Sequence, residues 1–278
     1  MTPKFSIITV TQNNLSGLKK TIDSVRKQRY EDFEHIIIDG AARDGSNNFL
    51  SKLSKNYKEM RFVSEPDDGI YDAMNKGARL ATGAWALFLN SGDLLANPEV
   101  LLKAAKAMER VDTIYFGRAQ IVAPNEDYWT FPPEFVTPDN CQYWISRNLP
   151  NHQSIFFPRA FYSHQEYSLN FRVSADSKYK EEALATCSWM FLDFIVCQFF
   201  LDGLSSARSL SNQMDQVKDR FSRFPAPKRY TDGLLSLVKA VIRILIFKGF
   251  GSASYKMIHT VKKYHDYLII SFLTWRKR

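Results

Sequence analysis

The chain has 278 residues, enough for one large domain or for one domain with an appendage, and its 45% apolar content supports a real buried core. The three cysteines, Cys141, Cys187 and Cys197, show no CxxC or Cys/His spacing, which argues against a disulfide framework or a zinc site. A reducing cytoplasm is therefore expected. The N-terminus runs directly into a strand pattern and lacks the apolar core and cleavage site of a signal peptide.

The net charge of +8 is concentrated in one region. Residues 229–278 carry ten Lys or Arg against two acids, whereas residues 1–228 carry 27 of each. A nucleic-acid binder usually has its basic patch on the folded domain, so we expect no nucleic-acid partner. Because the basic segment is also rich in Leu, Ile, Phe, Tyr and Trp, it predicts attachment to an anionic membrane surface. The expected location is cytoplasmic, peripheral on the inner face of the cytoplasmic membrane.

The first 100 residues alternate strand and helix patterns. Strands are predicted at FSIITV (5–10), FEHIIIDG (33–40), MRFVSE (60–65) and AWALFLN (84–90). Helices are predicted after Asn14, after Asp44 or Ser46, and from Ile70 to Ala81. Apolar strands separated by amphipathic helices indicate a mostly parallel sheet with helices on both faces, an α/β, Rossmann-like fold.

Polar residues follow each of these strands. They are Thr11–Asn14, Asp39–Asp44, Glu65–Asp72 and Asn90–Asp93. Ligands of open parallel sheets bind outside the carboxyl ends of the strands. These four segments are therefore expected to share one edge of the sheet and one site.

The second half has a less regular pattern. Residues 130–140 are predicted as loop, residues 147–162 as a loop, a strand and a short helix start, and residues 189–206 as a buried strand. A helix is expected from Ser174 or Asp176 to Ala185.

Two prolines, Pro225 and Pro227, mark a domain boundary. We therefore predict one domain over residues 1–224 and a basic, apolar helical extension over residues 225–278. In that extension Lys239 and Arg243 form a narrow basic stripe among Leu and Ile residues, which is typical of a helix that lies in a membrane interface.

Asp39 follows the second strand and precedes a glycine. A carboxylate there accepts hydrogen bonds from a nucleobase or a ribose, but an Asp-Gly pair also forms an ordinary turn. The stretch SEPDDGIYDAMNKG (64–77) places four acids within eight residues at the start of a helix, although capping needs only one. This stretch either forms a helix start that faces a nucleotide or forms a well-capped helix that is exposed to solvent.

The stretch FLNSGD (88–93) ends a strand in a turn. Asp93 either closes that turn or offers a hard oxygen ligand to a divalent ion that bridges a diphosphate. Asn90 could position ribose or water, whereas Gly92 offers no side chain.

The second half supplies further candidates. His152 and Gln153 precede an apolar strand and could orient a phosphate or an acceptor. Asp176 lies on a later element, where a base could deprotonate a sugar hydroxyl from the side opposite the leaving group, or where it could cap a helix.

These runs together resemble the family 2 glycosyltransferases with their GT-A fold, especially those of bacterial exopolysaccharide and colanic-acid biosynthesis. The matching runs are FSIITVTQNN, FEHIIIDGAARDGS, SEPDDGIYDAMNKGARLATG, ALFLNSGD, NHQSIFFPRAFY and FFLDGLSS, in the family's order from residue 4 to residue 206.

The resemblance implies a role for each motif. It places Thr9, Thr11 and Asp39 at the base and ribose of a nucleotide-sugar, and Asp68, Asp72 and Lys76 near the donor. The DxD element falls on Asn90–Asp93, with Asp93 holding Mn²⁺ or Mg²⁺, and Asp176 is the catalytic base. Two positions depart from the family pattern, because Gly92 replaces a carboxylate and Asp202 replaces a glycine.

The predicted function is an inverting transfer of sugar from a nucleotide-diphosphate donor, with uridine as the expected nucleoside, to a surface polysaccharide or lipid-linked oligosaccharide. Two other classes stay open. One is another nucleotide-sugar enzyme such as a nucleotidyltransferase, although no GxGxxG or GxxxxGK[ST] phosphate loop is present. The other is a catalytically degenerate relative that binds a partner in a polysaccharide assembly complex.

Overall fold

The structure is a computed structural model that describes residues 2–171 and 174–201, together with Thr260 and Tyr267. The predicted boundary at residue 225, the extension that follows it, and Asp202 lie outside the described residues.

The first half forms the parallel part of the sheet, as predicted. Its elements are β1 (Phe5–Thr11), α1 (Leu15–Arg26), β2 (Phe33–Asp39), α2 (Ser46–Leu53), β3 (Met60–Ser64), α3 (Ile70–Leu80), β4 (Trp85–Phe88), β5 (Leu94–Leu95) and α4 (Val100–Ala107). Strands β3, β2, β1 and β4 lie side by side and parallel. Because they run the same way, their carboxyl ends meet at one edge.

The second half extends the same sheet. Its elements are β6 (Thr113–Val122), β7 (Tyr128–Phe131), α5 (Cys141–Ile145), a 3-10 helix (His152–Ser154), β8 (Ile155–Pro158), α6 (Arg159–Tyr162), α7 (Ala175–Thr186) and β9 (Ser188–Phe200). β8 runs antiparallel between β4 and β6, and β9 runs parallel to β6. β5 and β7 are short antiparallel additions to β9 and β6.

Helices cover both faces of the sheet. On one face α3 packs on β1 and β2 through buried residues such as Ala73, Ile8 and Ile38, and Tyr179 of α7 packs on Phe88 of β4 and Phe157 of β8. On the other face α1, α2 and α4 pack through the residues Leu18, Leu50, Leu101, Ile7 and Ile37. Within the described ranges no helix is long and apolar enough to cross a membrane.

One prediction for the second half needs correction, and one strand of this half was not predicted. The strand predicted at 189–206 is observed at Ser188–Phe200, and it is only partly buried, since Met190 is 47% exposed. The sequence pattern also gave no indication of β6, a ten-residue central strand, because a buried arginine interrupts its apolar run. Arg118 is accommodated there by an ion pair with Asp193 and by the carbonyl oxygens of Pro133 and Val136.

Candidate active site

The carboxyl ends of β1 and β2 form the first part of the site. Thr11 and Asp39 are register partners, and the Gly40 N–H donates to the Thr11 carbonyl at 2.9 Å. Asp39 is fully buried, and its carboxylate accepts hydrogen bonds from the Ser64 hydroxyl at 2.7 Å and the Ala42 N–H at 3.3 Å. The protein thus fixes the orientation of a carboxylate at the strand end.

The start of α3 carries the acidic cluster. Asp72 accepts the Asp68 N–H at 3.1 Å and pairs with Lys76 at 3.3 Å, and Lys76 also pairs with Glu65 at 3.0 Å. Burial opposes ionisation of Asp72, but the Asp68 N–H and the Lys76 ammonium outweigh it and hold the pKa of Asp72 below its ordinary value. Three predicted residues, Asp68, Asp72 and Lys76, therefore belong to one network.

A fourth acid of this stretch lies against the end of β2. Asp67 accepts the Gly69 N–H at 3.0 Å, and a side chain at Gly40 would collide with the Asp67 carboxylate. Burial, helped by the charges of Asp72 and Asp39, raises the pKa of Asp67. The end of β2 and the start of α3 thus bring carboxylates together at one edge of the sheet.

The turn after β4 has a defined geometry. The Asp93 N–H donates to the Asn90 carbonyl at 3.0 Å, and Gly92 has φ +107°, a conformation that L-residues rarely adopt. The buried Thr21 hydroxyl of α1 donates to the Asp93 carbonyl at 2.8 Å and accepts the Gly92 N–H at 2.9 Å. This geometry explains why glycine occupies position 92.

The Asp93 carboxylate lies inside the site and is 6% exposed. Its Oδ2 accepts from the Gln153 side-chain amide at 3.2 Å, and its Oδ1 accepts from the Phe200 N–H at 3.0 Å. Both of these donors are neutral. They orient the carboxylate without cancelling its charge.

Two oxygen atoms at the same edge are buried and have no hydrogen-bond partner among the described residues: Asn90 Oδ1 and Thr11 Oγ1. Buried polar groups without a partner are uncommon and are often satisfied by a ligand. The described residues contain no cluster of three His, Cys, Asp or Glu able to hold a metal alone. Asp93 and Asn90 nevertheless supply hard oxygens of the kind that Mg²⁺ and Mn²⁺ accept, so the donor set fits an ion whose other ligands come from phosphate and water.

The 3-10 helix links this turn to the second part of the site. Gln153 contacts Asp93, while its neighbour His152 lies buried, with Nε2 2.6 Å from the Tyr167 hydroxyl. Burial lowers the pKa of His152 to about 3, so the ring is neutral at pH 7. His152 packs beneath the site, and its suggested role toward a phosphate or acceptor stays a prediction.

Asp176 lies in the first turn of α7, as the sequence pattern predicted. Its side chain is 27% exposed, and its carboxylate pairs with Lys180 at 3.0 Å and accepts from the Tyr71 hydroxyl at 3.4 Å. Burial opposes its ionisation, but the Lys180 ammonium, together with His152 and the Ser177 N–H, outweighs burial and holds the pKa of Asp176 below its ordinary value. Since Tyr71 belongs to α3, the hydrogen bond joins the α3 side of the site to Asp176.

The structure does not bring Thr9 to this edge. Its hydroxyl lies within the sheet, 2.9 Å from His35 Nε2, and both residues are fully buried. Sequence reasoning also missed four contributors: Thr21, Ser64, Tyr71 and Lys180. Only Lys180 had a local signal, its spacing of four residues from Asp176 on a predicted helix.

Comparison with solved structures identifies the fold class. Residues 1–349 of TarS of Staphylococcus aureus, solved in complex with UDP-GlcNAc, superpose with a TM-score of 0.63 at 16% identity, covering 81% of this chain and 69% of the TarS 1–349 chain. The mannosyltransferase PcManGT of Pyrobaculum calidifontis, solved with GDP-Man and Mn²⁺, gives 0.59 at 15% identity, covering 100% of this chain and 89% of the mannosyltransferase. The sheet is therefore that of a GT-A glycosyltransferase, as predicted.

The sequence itself gives the family. Residues 6–176 match glycosyl transferase family 2, and an uncharacterized glycosyltransferase of Mycobacterium tuberculosis is 30% identical over 232 residues, 80% of this chain and 86% of the relative. A PGL/p-HBAD biosynthesis glycosyltransferase of Mycobacterium bovis is 32% identical over 179 residues, 63% of this chain and 67% of that protein. The chain belongs to glycosyltransferase family 2, which confirms the predicted family and the predicted class of enzyme.

Proposed function

We propose that this glycosyltransferase inverts the anomeric centre as it moves a sugar from a nucleoside diphosphate, with uridine as the nucleoside, to a hydroxyl of a growing glycan. The observation that carries the proposal is the 3-10 helix His152–Ser154. Gln153 of this helix contacts Asp93 directly, and the adjacent His152 contacts the hydroxyl of Tyr167, which stacks on Tyr71, the hydrogen-bond donor to Asp176. Two carboxylates in different settings thereby flank one site, as leaving-group departure and acceptor activation require.

The donor occupies the edge formed by β1, β2 and the α3 start in this proposal. Asp39 accepts hydrogen bonds from the base or ribose beside Thr11, and Asp68, Asp72 and Lys76 face the sugar-nucleotide. TarS and PcManGT, which share the fold, were solved with UDP-GlcNAc and GDP-Man, both nucleoside diphosphate sugars. The buried, unpartnered Thr11 hydroxyl is a ready hydrogen-bonding group at this position.

Asp93 and Asn90 would hold Mn²⁺ or Mg²⁺, as the oxygen donors at the turn allow; the mannosyltransferase that shares the fold was solved with Mn²⁺. Such an ion neutralises the charge that develops on a departing diphosphate. Gln153 and the Phe200 N–H fix the direction of the Asp93 carboxylate, and Thr21 fixes its backbone. The turn is thus organised before any ligand arrives.

Asp176 acts as the base. Its partly exposed carboxylate takes the proton of the acceptor hydroxyl while the acceptor oxygen forms a bond to the anomeric carbon. The bond between that carbon and the diphosphate oxygen breaks, and its electron pair leaves with the nucleoside diphosphate. A single displacement of this kind inverts the configuration, and no covalent enzyme intermediate is needed.

The acceptor is proposed to be a lipid-linked oligosaccharide or a surface polysaccharide precursor at the inner face of the cytoplasmic membrane. This rests on the basic, aromatic composition of residues 229–278. In the full chain, Lys239→Glu with Arg243→Glu should weaken sedimentation with anionic vesicles at low salt, whereas the same pair of changes at Lys52 and Lys55 should not. Equal sedimentation of both variants would contradict membrane attachment through this segment.

The test of the chemistry is the configuration of the product. The full chain is incubated with a panel of UDP- and GDP-sugars and Mn²⁺, with water as the acceptor, and the first anomer released is followed by proton NMR before mutarotation. We expect one UDP-sugar to be hydrolysed fastest and to release the anomer opposite to that of the donor. Release of the donor's own anomer would contradict single displacement, and faster hydrolysis of GDP-sugars would contradict uridine.

A further inference from the structure

Lys180 is a charged side chain that none of the steps above uses. It lies on α7, one turn after Asp176, and is only 7% exposed. Burying an ammonium group costs several kcal/mol unless an opposite charge compensates it. A lysine at this position therefore requires a compensating charge nearby.

Its compensating charge is the carboxylate of Asp176. Lys180 Nζ lies 3.0 Å from Asp176 Oδ2, at the i,i+4 spacing that places two residues on one face of a helix. The lysine side chain is 9% exposed and that of the aspartate 27%. The cation thus supports the carboxylate from the protein interior, and the exposed side of the carboxylate faces outward.

Three other titratable groups among the described residues face or influence this carboxylate: Tyr71, His152 and Tyr167. The Tyr71 hydroxyl donates to Asp176 Oδ1. Burial lowers the pKa of His152 to about 3 and raises that of Tyr167 well above its ordinary value, so both are neutral near pH 7. Of these neighbours Lys180 is the one with a permanent charge.

We infer that Lys180 is a positioning residue for the base, holding the Asp176 carboxylate ionised and turned so that Oδ1 meets the acceptor. The inference rests on the proposed role of Asp176. The two oxygens have different partners, ammonium on Oδ2 and the Tyr71 hydroxyl on Oδ1. This fixes the carboxylate plane. The ion pair also keeps the base unprotonated at mildly acidic pH.

The experiment is the pH profile of kcat/KM for hydrolysis of the best UDP-sugar by the full chain. Lys180→Met keeps the side-chain length and removes the charge. We expect the acidic limb of the profile to move up by about one pH unit and kcat at pH 7 to fall, with KM for the donor unchanged. Lys180→Arg should return the acidic limb of the profile to its wild-type position. Lys178→Met is the matched control, because Lys178 forms an exposed i,i+4 pair with Glu182 on the same helix.

A double-mutant cycle on the unfolding midpoint needs no activity. Asp176→Asn leaves the buried Lys180 ammonium without its counter-charge and should lower the midpoint by about 5 °C or more. The double variant Asp176→Asn with Lys180→Met should recover most of this loss in the midpoint but should not recover turnover. Lys180→Gln replaces Lys180→Met if the latter does not fold. An unmoved acidic limb, or additive effects in the cycle, would overturn the role of Lys180. Full turnover in Asp176→Asn would instead overturn the proposed base, whatever Lys180 does.

Discussion

The two carboxylates that flank the 3-10 helix are held in opposite ways. Asp93 accepts from a side-chain amide and a backbone N–H, which are neutral donors, and it is 6% exposed. Asp176 pairs with a buried ammonium, and its side chain is 27% exposed. Neutral donors orient a carboxylate and keep its charge available for a cation, whereas an ion pair keeps it ionised and lowers its affinity for protons.

The difference indicates a division of labour within one site. A carboxylate that is to hold a divalent ion needs a fixed direction. A carboxylate that is to remove a proton must be ionised before the acceptor arrives and must have an accessible oxygen. The surroundings of Asp93 fix the direction of its carboxylate, and those of Asp176 favour an ionised carboxylate with an exposed side.

The largest effect is expected for Asp176→Asn. Loss of the base should lower kcat about 10³-fold, measured as sugar release from the best donor at a temperature where the variant is folded. Donor affinity by calorimetry should be unchanged, since the donor edge lies on β1, β2 and α3. Glu181→Gln, an exposed acid of the same helix, is the control. An equal loss of kcat in Glu181→Gln would contradict the specific role of Asp176 as the base.

A smaller effect is expected for Gln153→Met, which removes the amide from Asp93 and keeps the side-chain length. Loss of a group that hydrogen-bonds to a metal ligand typically lowers metal affinity about 10- to 100-fold. Mn²⁺-dependent binding of UDP should therefore weaken by that factor, whereas metal-free binding should change little. Gln142→Met on α5, at an exposed position, serves as the control. Unchanged affinity in Gln153→Met would mean that this amide does not orient the Asp93 carboxylate.

The smallest effect is expected for Gly92→Ala. The new Cβ would meet only Asn14 Nδ2, at 3.6 Å, so the cost comes from the backbone at φ +107°. We expect a loss of about 1–2 kcal/mol in the free energy of unfolding, measured by urea denaturation. Ser91→Ala, in the same turn, should cost under about 0.5 kcal/mol. A stable Gly92→Ala variant would show that the turn can relax.

Much of the first half could be predicted from the sequence because its signals are local. Asn14 caps α1 as predicted, with its Oδ1 accepting the Gly17 N–H at 3.0 Å. The second half depends on contacts that are distant in the chain. β6 contains Arg118, whose charge is balanced by Asp193, 75 residues away, so its local pattern does not look like a buried strand.

The site residues show the same contrast: some have a local sequence signal, and others depend on contacts that are distant in the chain. Asp39 and Asp93 follow apolar strands, so the rule for parallel sheets places them at one edge. Thr9 belongs to the same strand as Thr11, but its hydroxyl lies inside the sheet, where it contacts His35 and cannot reach a ligand at the edge. The spacing of Asp176 and Lys180 was visible, but the burial of Lys180 was not, because it depends on packing between α7 and the rest of the fold.

The proposed mechanism depends most directly on Asp93 as a metal ligand. UDP, then GDP, is titrated into the wild type and Asp93→Asn by calorimetry, with and without Mn²⁺, and Asp23→Asn serves as an exposed control. We predict that UDP binding to the wild type and the control strengthens with Mn²⁺, and that this dependence disappears in Asp93→Asn. If the affinity for UDP changes neither with Mn²⁺ nor with the substitution, Asp93 is not a metal ligand, and the turn after β4 has a structural role only.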